Sequence, residues 1–257
     1  MKKIIKNITP PIIYALLKRI LIKPKIFSPK WNTLTYKPLE GVQMFFDPSG
    51  PWQKTIINNT YDTFLFEAVS ATAPQGKVIF DIGAHIGFHS VYFARLVGQK
   101  GKVYAFEPNP KNVERLKLIR DKNSDIKNII SVYDVAVSNV LGTEKFSMSE
   151  DIESGRSSGG FIDTADTIWE RNAFKQRGFT EIRVKTVPID LFKEELGIPE
   201  APNIIKIDVE GAEFLVLRGA EETIKKYHPF ILLEVHSMLN MFNVVSFLSS
   251  LSYELKI

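Results

Sequence analysis

The chain has 257 residues, of which 44 % are hydrophobic and 24 % charged, as expected of one globular domain with or without an extension. It has no cysteine, which excludes disulfide bonds and cysteine-ligated metal sites and fits a reducing compartment. The net charge of +4 is uneven: residues 1–39 hold nine Lys or Arg and no acid, while the rest carries 24 basic and 29 acidic residues, so we expect no nucleic-acid partner for the body.

Residues 1–40 are interpreted as a basic, partly helical N-terminal extension, and residues 41–257 as the main domain. The longest apolar run of the extension, residues 12–17, is far below the ~20 residues that a membrane span needs. Two interpretations stay open: a helix packed on the main domain, or a basic amphipathic helix within residues 1–30 on an anionic membrane surface. We expect a cytoplasmic protein, peripheral to the inner membrane face under the second interpretation.

Strand and helix patterns alternate through the main domain. The predicted elements, in chain order, are a helix at 61–72, a strand at 78–83, a helix at 89–98, a strand at 102–108, a helix at 110–123, a strand at 128–138, a polar stretch at 147–161, a helix at 164–178, strands at 181–189 and 203–211, a helix at 212–227, a strand at 229–236, a helix at 243–251 and a strand at 253–257. Such alternation, with continuously apolar strands, predicts an α/β fold: a doubly wound, mostly parallel sheet with helices on both faces.

Polar side chains mark the ends of four predicted strands. These residues are Asp81, Glu107, the pair Asp208 and Glu210, and the pair Glu234 and His236. Ligands of open α/β sheets bind outside the carboxyl ends of the strands, so the four endings predict a site at one edge of the sheet.

A glycine-containing loop joins the first of these strands to a helix. Gly83 and Gly87 allow a sharp turn and a close backbone approach to a ligand, but His85 stands where a dinucleotide-binding loop would have glycine. Glu107 lies twenty residues after Gly87, where an acid can accept both hydroxyls of a ribose. A ribose site without a pyrophosphate loop indicates S-adenosylmethionine, with Asp81 near its amino-acid part.

The same segments resemble FkbM-type methyltransferases. The matching motifs, in order, are DIGAHIGFHS, VYAFEPNPKNVERLK, VAVSN, IIKIDVEGAEFLVLRGA and ILLEVH, within roughly residues 41–240. The resemblance implies a class I methyltransferase fold and methyl transfer to a hydroxyl, often of sugars in glycans, glycolipids or secondary metabolites. Class I domains usually end in an antiparallel hairpin, whereas only one strand of it is predicted here.

The resemblance also implies roles for individual residues. Cofactor contacts fall on Asp81, Gly83, His85, Gly87, Glu107 and the segment from Asp134 to Ala136 near the adenine, with Tyr61 of the Tyr61–Asp62 pair closing over the cofactor. The family often has Asn in place of His85 and Glu in place of Asp62.

The chemistry of the last two polar strand ends suggests catalytic roles. Lys206, Asp208 and Glu210 have period-two spacing and point to one face of a strand. We expect His236 or Asp208 to be the general base, with Lys206 balancing the local charge. Glu210 and Glu234 are expected to bind the acceptor. Glu210 and Glu213 either bind substrate hydroxyls or fix the turn at Gly211.

Several alternatives stay open. A divalent metal held by Asp208, Glu210, Glu234 and His236 is one, although no metal is our expectation. Arg156, in the stretch 154–161, belongs either to a surface loop or to a substrate lid that meets an anionic group. His89 is expected to be a packing or surface residue. Rival functions are a nucleotide-sugar or NAD oxidoreductase, a non-catalytic cofactor-binding domain, and a methyltransferase acting on another acceptor such as a lipid or secondary metabolite.

Overall fold

The computed structural model describes residues 29–149, 160–162 and 179–256. The elements in these ranges are β1 (Lys30–Thr33), β2 (Gln43–Phe46), α1 (Pro51–Ile57), α2 (Thr63–Ala71), β3 (Val78–Ile82), α3 (Phe88–Val97), β4 (Lys102–Phe106), α4 (Pro110–Lys122), β5 (Ile130–Tyr133), β6 (Ala136–Val137), β7 (Gly142–Ser149), β8 (Gly160–Ile162), β9 (Phe179–Val187), a 3₁₀ turn (Ile189–Leu191), α5 (Phe192–Leu196), β10 (Ile204–Ile207), α6 (Glu213–Arg218), α7 (Glu221–Tyr227), β11 (Phe230–Leu233) and α8 (Met238–Ser250). Arg156, the helix predicted at 164–178 and the helix of the N-terminal extension lie outside the described residues.

The central sheet has five parallel strands in the order β11-β10-β3-β4-β5, which confirms the predicted fold class. The chain fills one half of the sheet from β3 outward to β5 and then crosses back to β10, beside β3. The strand order therefore reverses between β3 and β10, the position where doubly wound sheets bind their ligands.

Hydrophobic side chains cover both faces of this sheet. One core joins α2, α3, α4 and the β1–β2 hairpin to residues such as Ile79 and Val103 of the sheet. The other joins α5 to α8 to residues such as Phe80 and Ile205, which point to the opposite face because strand side chains alternate. Leu34 and Leu39 are buried in the first core, although they precede residue 41, the expected start of the main domain. None of the helices in the described ranges has the length and apolar character that crossing a membrane requires.

A second sheet, which the sequence analysis does not predict, has the order β6-β9-β7-β8. In it β7 runs antiparallel to both β8 and β9, while β6 is parallel to β9. The single strand predicted at 128–138 is wrong, because the chain leaves the central sheet at the exposed Asp134 and enters the second sheet as β6. Gly160 and Phe161, predicted to be part of a polar loop, lie in β8 and pair with β7.

Two further predictions are wrong near the C-terminus. The helix predicted at 212–227 is split into α6 and α7 at Gly219, where a Cβ atom would lie 2.1 Å from the carbonyl oxygen of Ser138. The carbonyl of Gly219 also accepts a hydrogen bond from the backbone N–H of Asp190, so a neighbouring loop occupies this break. No strand forms in the described residues 253–256, and the hydroxyl of Tyr253 instead donates to the carbonyl oxygen of Pro229.

Candidate active site

A cleft opens at the carboxyl edge of the central sheet, above the junction of β3 and β10. The segments that line it are the loops after β3, β4 and β10, the starts of α1 and α3, Tyr61, and residues of β6, β7 and β8. The space between these walls is about 890 Å³, a volume that includes solvent at the open mouth of the cleft. The second sheet therefore supplies one wall of the site.

The glycines of the loop after β3 allow close packing of the protein on itself. Gly83 has φ +77°, and a Cβ atom there would lie 1.8 Å from the carbonyl oxygen of Asp208. Gly87 has φ +89°, and its Cβ would lie 2.7 Å from Leu116 of α4. Gly83 lines the cleft and Gly87 does not. These positions bring the ends of β3 and β10 together and seat α3 against α4.

Glu107 follows the last residue of β4 and forms one end of the cleft. Its Oε2 accepts from the backbone N–H of His85 at 2.8 Å, and its Oε1 accepts from the backbone N–H of Asn109 at 3.0 Å and from Nδ2 of Asn112 at 3.3 Å. Burial raises the pKa of Glu107 to about 7, although these hydrogen bonds act in the opposite direction. Burial likewise lowers the pKa of His85 to about 3, so this imidazole is neutral at physiological pH.

The residues at this end fit the adenosyl part of S-adenosylmethionine. A carboxylate offers about four lone-pair positions, and Glu107 uses three of them on the protein, which leaves capacity for a ribose hydroxyl. Apolar side chains beside it, including Phe106, Pro108 and Val135, form a surface suited to a flat adenine ring. Asp134 is exposed and is not among the lining residues, whereas its neighbours Val135 and Ala136 are.

Asp81 and Lys206 form a charged floor beneath the cleft. They are laterally paired in adjacent strands, so their side chains lie on the same face of the sheet, and both are buried. The Lys206 ammonium lies 3.4 Å from both Asp81 and Asp208 and donates to the carbonyl oxygen of Gly83 at 2.9 Å. Oδ2 of Asp81 also accepts from the hydroxyl of Ser90 at 2.5 Å. Neither Asp81 nor Lys206 lines the cleft.

The charges of this floor shift each other's pKa values. Burial alone would lower the pKa of Lys206, but Asp208 and Asp81 outweigh it and raise the pKa. Burial alone would raise the pKa of Asp208, but Lys206 and His236 outweigh it and hold the pKa below its usual value. Lys206 is therefore a buried cation that keeps Asp208, at the cleft surface, ionised.

His236 lies beside Asp208 and is held by a buried carboxylate. Nδ1 of His236 lies 2.7 Å from Oε1 of Glu213, which also accepts from the backbone N–H of Gly211 at 2.9 Å. The other oxygen of Glu213 accepts from Nδ2 of Asn240 in α8 at 2.7 Å. Glu213 is fully buried and lies outside the cleft lining, so it positions His236 and the turn at Gly211. No motif in the sequence marks Asn240 as part of this site.

Three carboxylates surround the other nitrogen of His236. Its Nε2 lies 3.8 Å from Asp208 and 3.6 Å from both Glu210 and Glu234. Burial alone would lower the pKa of His236, but Glu213, Glu210 and Asp208 raise it to about 9. Burial and the charge of Asp208 raise the pKa of Glu234, whose side chain is 64 % exposed. His236 is thus an imidazolium at neutral pH.

One ligand atom each of Asp208, Glu234 and His236 also falls within 4.8 Å of the others, close enough to share a metal ion.

Aromatic rings form another part of the cleft lining. The residues are Trp52, Tyr61 and His89. Sequence reasoning assigns His89 to packing or to the surface, but His89 is 7 % exposed, lines the cleft, and holds Oδ2 of Asp62 at 2.8 Å from its Nε2. Its position two residues after Gly87 is the one signal in the sequence that places it near the site.

The fold and the cleft define a class I, Rossmann-like methyltransferase domain. A family model, described as the methyltransferase FkbM domain, matches residues 81–255. Because this match covers more than half of the chain, the protein belongs to that family, and its cofactor is S-adenosylmethionine.

Individual proteins resemble parts of the chain. Hexuronic acid methyltransferase AglP of Haloferax volcanii is 29 % identical over 177 residues, which are 69 % of this chain and 63 % of AglP. The 2-O-methyltransferase NoeI of Sinorhizobium fredii is 28 % identical over 163 residues, which are 62 % of this chain and 64 % of NoeI. The chain thus spans less than two thirds of either relative. The crystal structure of methyltransferase FkbM from Methylobacillus flagellatus KT has a TM-score of 0.48 at 18 % identity, covering 68 % of this chain and 37 % of that one.

Proposed function

We propose that this protein transfers the methyl group of S-adenosylmethionine to a hydroxyl of a neutral sugar. The observation that carries the proposal is the distribution of carboxylates in one cleft, with Glu107 at one end and Asp208 and Glu210 at the other. The first end fits a ribose, and the second end offers acceptors for the hydroxyls of another molecule. The names of AglP, a hexuronic acid methyltransferase, and NoeI, a 2-O-methyltransferase, support a sugar hydroxyl as the acceptor, whereas the preference for a neutral sugar comes from the charge of the cleft.

The charge of the acceptor end favours a neutral sugar over a hexuronate. Asp208 and Glu210 line the cleft there, Glu234 and His236 lie beside them but outside the lining, and Lys206 is already paired with two aspartates. A further carboxylate would be repelled by these acids, whereas sugar hydroxyls donate hydrogen bonds to them. The preference for a neutral sugar therefore follows because the positively charged partners of these acids, His236 and Lys206, are already engaged.

The reaction requires orientation first and a proton acceptor second. S-adenosylmethionine supplies a methyl group bound to a positively charged sulfur, which a correctly placed oxygen attacks in line. As the carbon–oxygen bond forms and the carbon–sulfur bond breaks, the acceptor oxygen becomes strongly acidic and must lose its proton. Asp208 lines the cleft and is ionised, so we assign it as the acceptor of that proton. The low basicity of Asp208 suffices because the proton is transferred late, when the acceptor oxygen is already strongly acidic.

His236 has a different role at neutral pH in this proposal. An imidazolium has no lone pair for a proton, so it serves as the positive centre that holds Asp208, Glu210 and Glu234 together. Lys206 keeps Asp208 ionised from below. His236 acts as general base only in its neutral form, which predominates above about pH 9.

Calorimetric titration with S-adenosylmethionine and S-adenosylhomocysteine tests the cofactor half of the proposal. We expect both to bind the wild type, and Glu107→Ala to weaken both, because the ribose hydroxyls lose their acceptor. Glu114→Ala, an exposed acid of α4, is the matched control and should bind as the wild type does. Intact folding of each variant is checked by circular dichroism.

The acceptor half is tested by supplying tritiated methyl donor with methyl fucoside, methyl rhamnoside, methyl glucoside and methyl glucuronide. Transfer to one of the neutral sugars, abolished in Asp208→Asn, supports the proposal. Transfer to the glucuronide alone would reject the preference for a neutral sugar. Cofactor binding without transfer to any of them would favour another acceptor or a non-catalytic cofactor-binding domain.

A further inference from the structure

The aromatic part of the cleft lining contains a polar unit that the proposed function does not use. The ring of His89 stacks on Tyr61, with centroids 5.7 Å apart at 22°, and on Phe93, at 6.1 Å and 18°. Its Nε2 is held by Asp62 at 2.8 Å. Because two stacked rings and one nitrogen contact hold it, the ring of His89 cannot rotate freely, and it presents a fixed surface to Tyr61.

The backbone at Asp62 supports a functional role for this unit. Asp62 occupies the N-cap position of α2, yet its side chain makes no capping hydrogen bond and its φ of +46° lies in the left-handed region. Aspartate is among the best N-cap residues, and with asparagine it is one of the few non-glycine residues that adopt the left-handed conformation. The local sequence therefore gives up a capping hydrogen bond and directs the carboxylate to His89. Such sites often serve function rather than stability.

Tyr61 lines the same cleft as Asp208 and Glu210. Burial raises the pKa of Tyr61, and the charges of Asp62, Asp208, Glu234 and Glu210 raise it further. The phenol therefore stays protonated and is a hydrogen-bond donor at physiological pH. A hydrogen-bond donor in the same cleft complements the acids, because a sugar hydroxyl that donates to Asp208 can still accept a hydrogen bond through its lone pairs.

We propose that Tyr61 binds the sugar acceptor by donating a hydrogen bond to it, and that His89 and Asp62 are positioning residues that hold the Tyr61 ring in the cleft wall. This inference rests on the proposed function and changes the role that family resemblance suggests for Tyr61, from closing over the cofactor to contacting the acceptor. The chemical class of ligand is a neutral sugar bearing a hydroxyl with a free lone pair.

The experiment measures two affinities on the full chain, for S-adenosylhomocysteine by calorimetry and for methyl fucoside, methyl rhamnoside and methyl glucoside by saturation-transfer NMR. We expect Tyr61→Phe to weaken the best-bound glycoside about tenfold, the effect of one lost hydrogen bond, and to leave the S-adenosylhomocysteine affinity within about twofold of the wild type. Tyr92→Phe is the matched control, since Tyr92 also stacks in this aromatic cluster but does not line the cleft. It should change neither affinity.

Positioning is separated from simple stability by conservative variants. Asp62→Asn keeps an acceptor for His89, suits the left-handed backbone, and should retain most of the glycoside affinity. Asp62→Ala should lose about as much glycoside affinity as Tyr61→Phe, and its thermal midpoint should fall because alanine is strained at φ +46° and His89 loses its partner. Affinities are therefore measured well below the midpoint of each variant. A loss of S-adenosylhomocysteine affinity in Tyr61→Phe, with glycoside binding intact, would overturn the inference in favour of a cofactor contact. Equal glycoside binding in all variants, or none by the wild type, would also overturn it. Failure of the wild type to bind S-adenosylhomocysteine would instead reject the proposed function.

Discussion

The proton on His236 is expected to stabilise the fold over a defined pH range. The ordinary pKa of histidine is 6.5, and the acids around His236 raise it to about 9 in the folded protein. The folded chain therefore holds this proton more tightly than the unfolded chain, so the contribution is complete below about pH 6.5 and is lost as the pH rises through 9. At about 1.4 kcal/mol per pKa unit, the difference is about 3 kcal/mol.

Urea unfolding followed by tryptophan fluorescence, at pH 6 and pH 10 with EDTA present, measures this contribution. The free energy of unfolding of the wild type should fall between the two pH values by about 3 kcal/mol more than that of His236→Gln, which keeps a hydrogen-bond donor for Glu213 but cannot titrate. Other groups that titrate in this range affect both proteins equally and cancel in the comparison. His228→Asn is the control, because His228 is exposed and its φ of +47° suits asparagine. An equal fall for wild type and His236→Gln would refute the reasoning.

Three further outcomes are expected. Turnover should be high at pH 7 and show no rise through pH 9, because Asp208 rather than neutral His236 takes the proton; a pH–rate profile that climbs through 9 would reverse the two roles. Gly83→Ala should lower stability and cofactor affinity far more than Gly98→Ala in paired urea and calorimetric measurements. Both glycines have positive φ, so alanine at either position costs about 1–2 kcal/mol. Of the two, only an alanine Cβ at position 83 would clash with a backbone oxygen. EDTA should leave turnover unchanged, because in-line methyl transfer needs orientation and a proton acceptor rather than a metal; restoration by Mg²⁺ or Mn²⁺ after a loss would contradict this.

Much of the fold follows from local patterns in the sequence. Continuous apolar runs such as residues 78–80 and 204–205 predict buried parallel strands, and the polar residues after them predict which edge of the sheet carries the site. Parallel strands place all their carboxyl ends at one edge, so Glu107 and Asp208 converge there although 101 positions separate them in the chain. This convergence requires only that the strands run in the same direction, and the alternation of strands with helices predicts that they do.

The elements that sequence reasoning misses depend on contacts between distant segments. Nothing in the local pattern of residues 142–149 shows that β7 pairs with β9, about 40 residues later, and so forms a wall of the cleft. The break at Gly219 likewise comes from the approach of Ser138, which a helical pattern does not contain. Asn240 reaches Glu213 only once α8 has docked.

The strand-end acids show why a residue's type does not by itself assign its role. Asp81 is the fourth residue of the five-residue strand β3, still within the sheet, and its lateral neighbour Lys206 pairs with it beneath the cleft. Glu107 and Asp208 each follow the last residue of their strands and therefore line the cleft itself. A shift of two residues along a strand moves a side chain by about 7 Å on the same face, enough to turn a residue that could meet a ligand into one that supports the floor. The strand boundary, which sequence patterns locate only to within a few residues, thus decides which acid can act in chemistry.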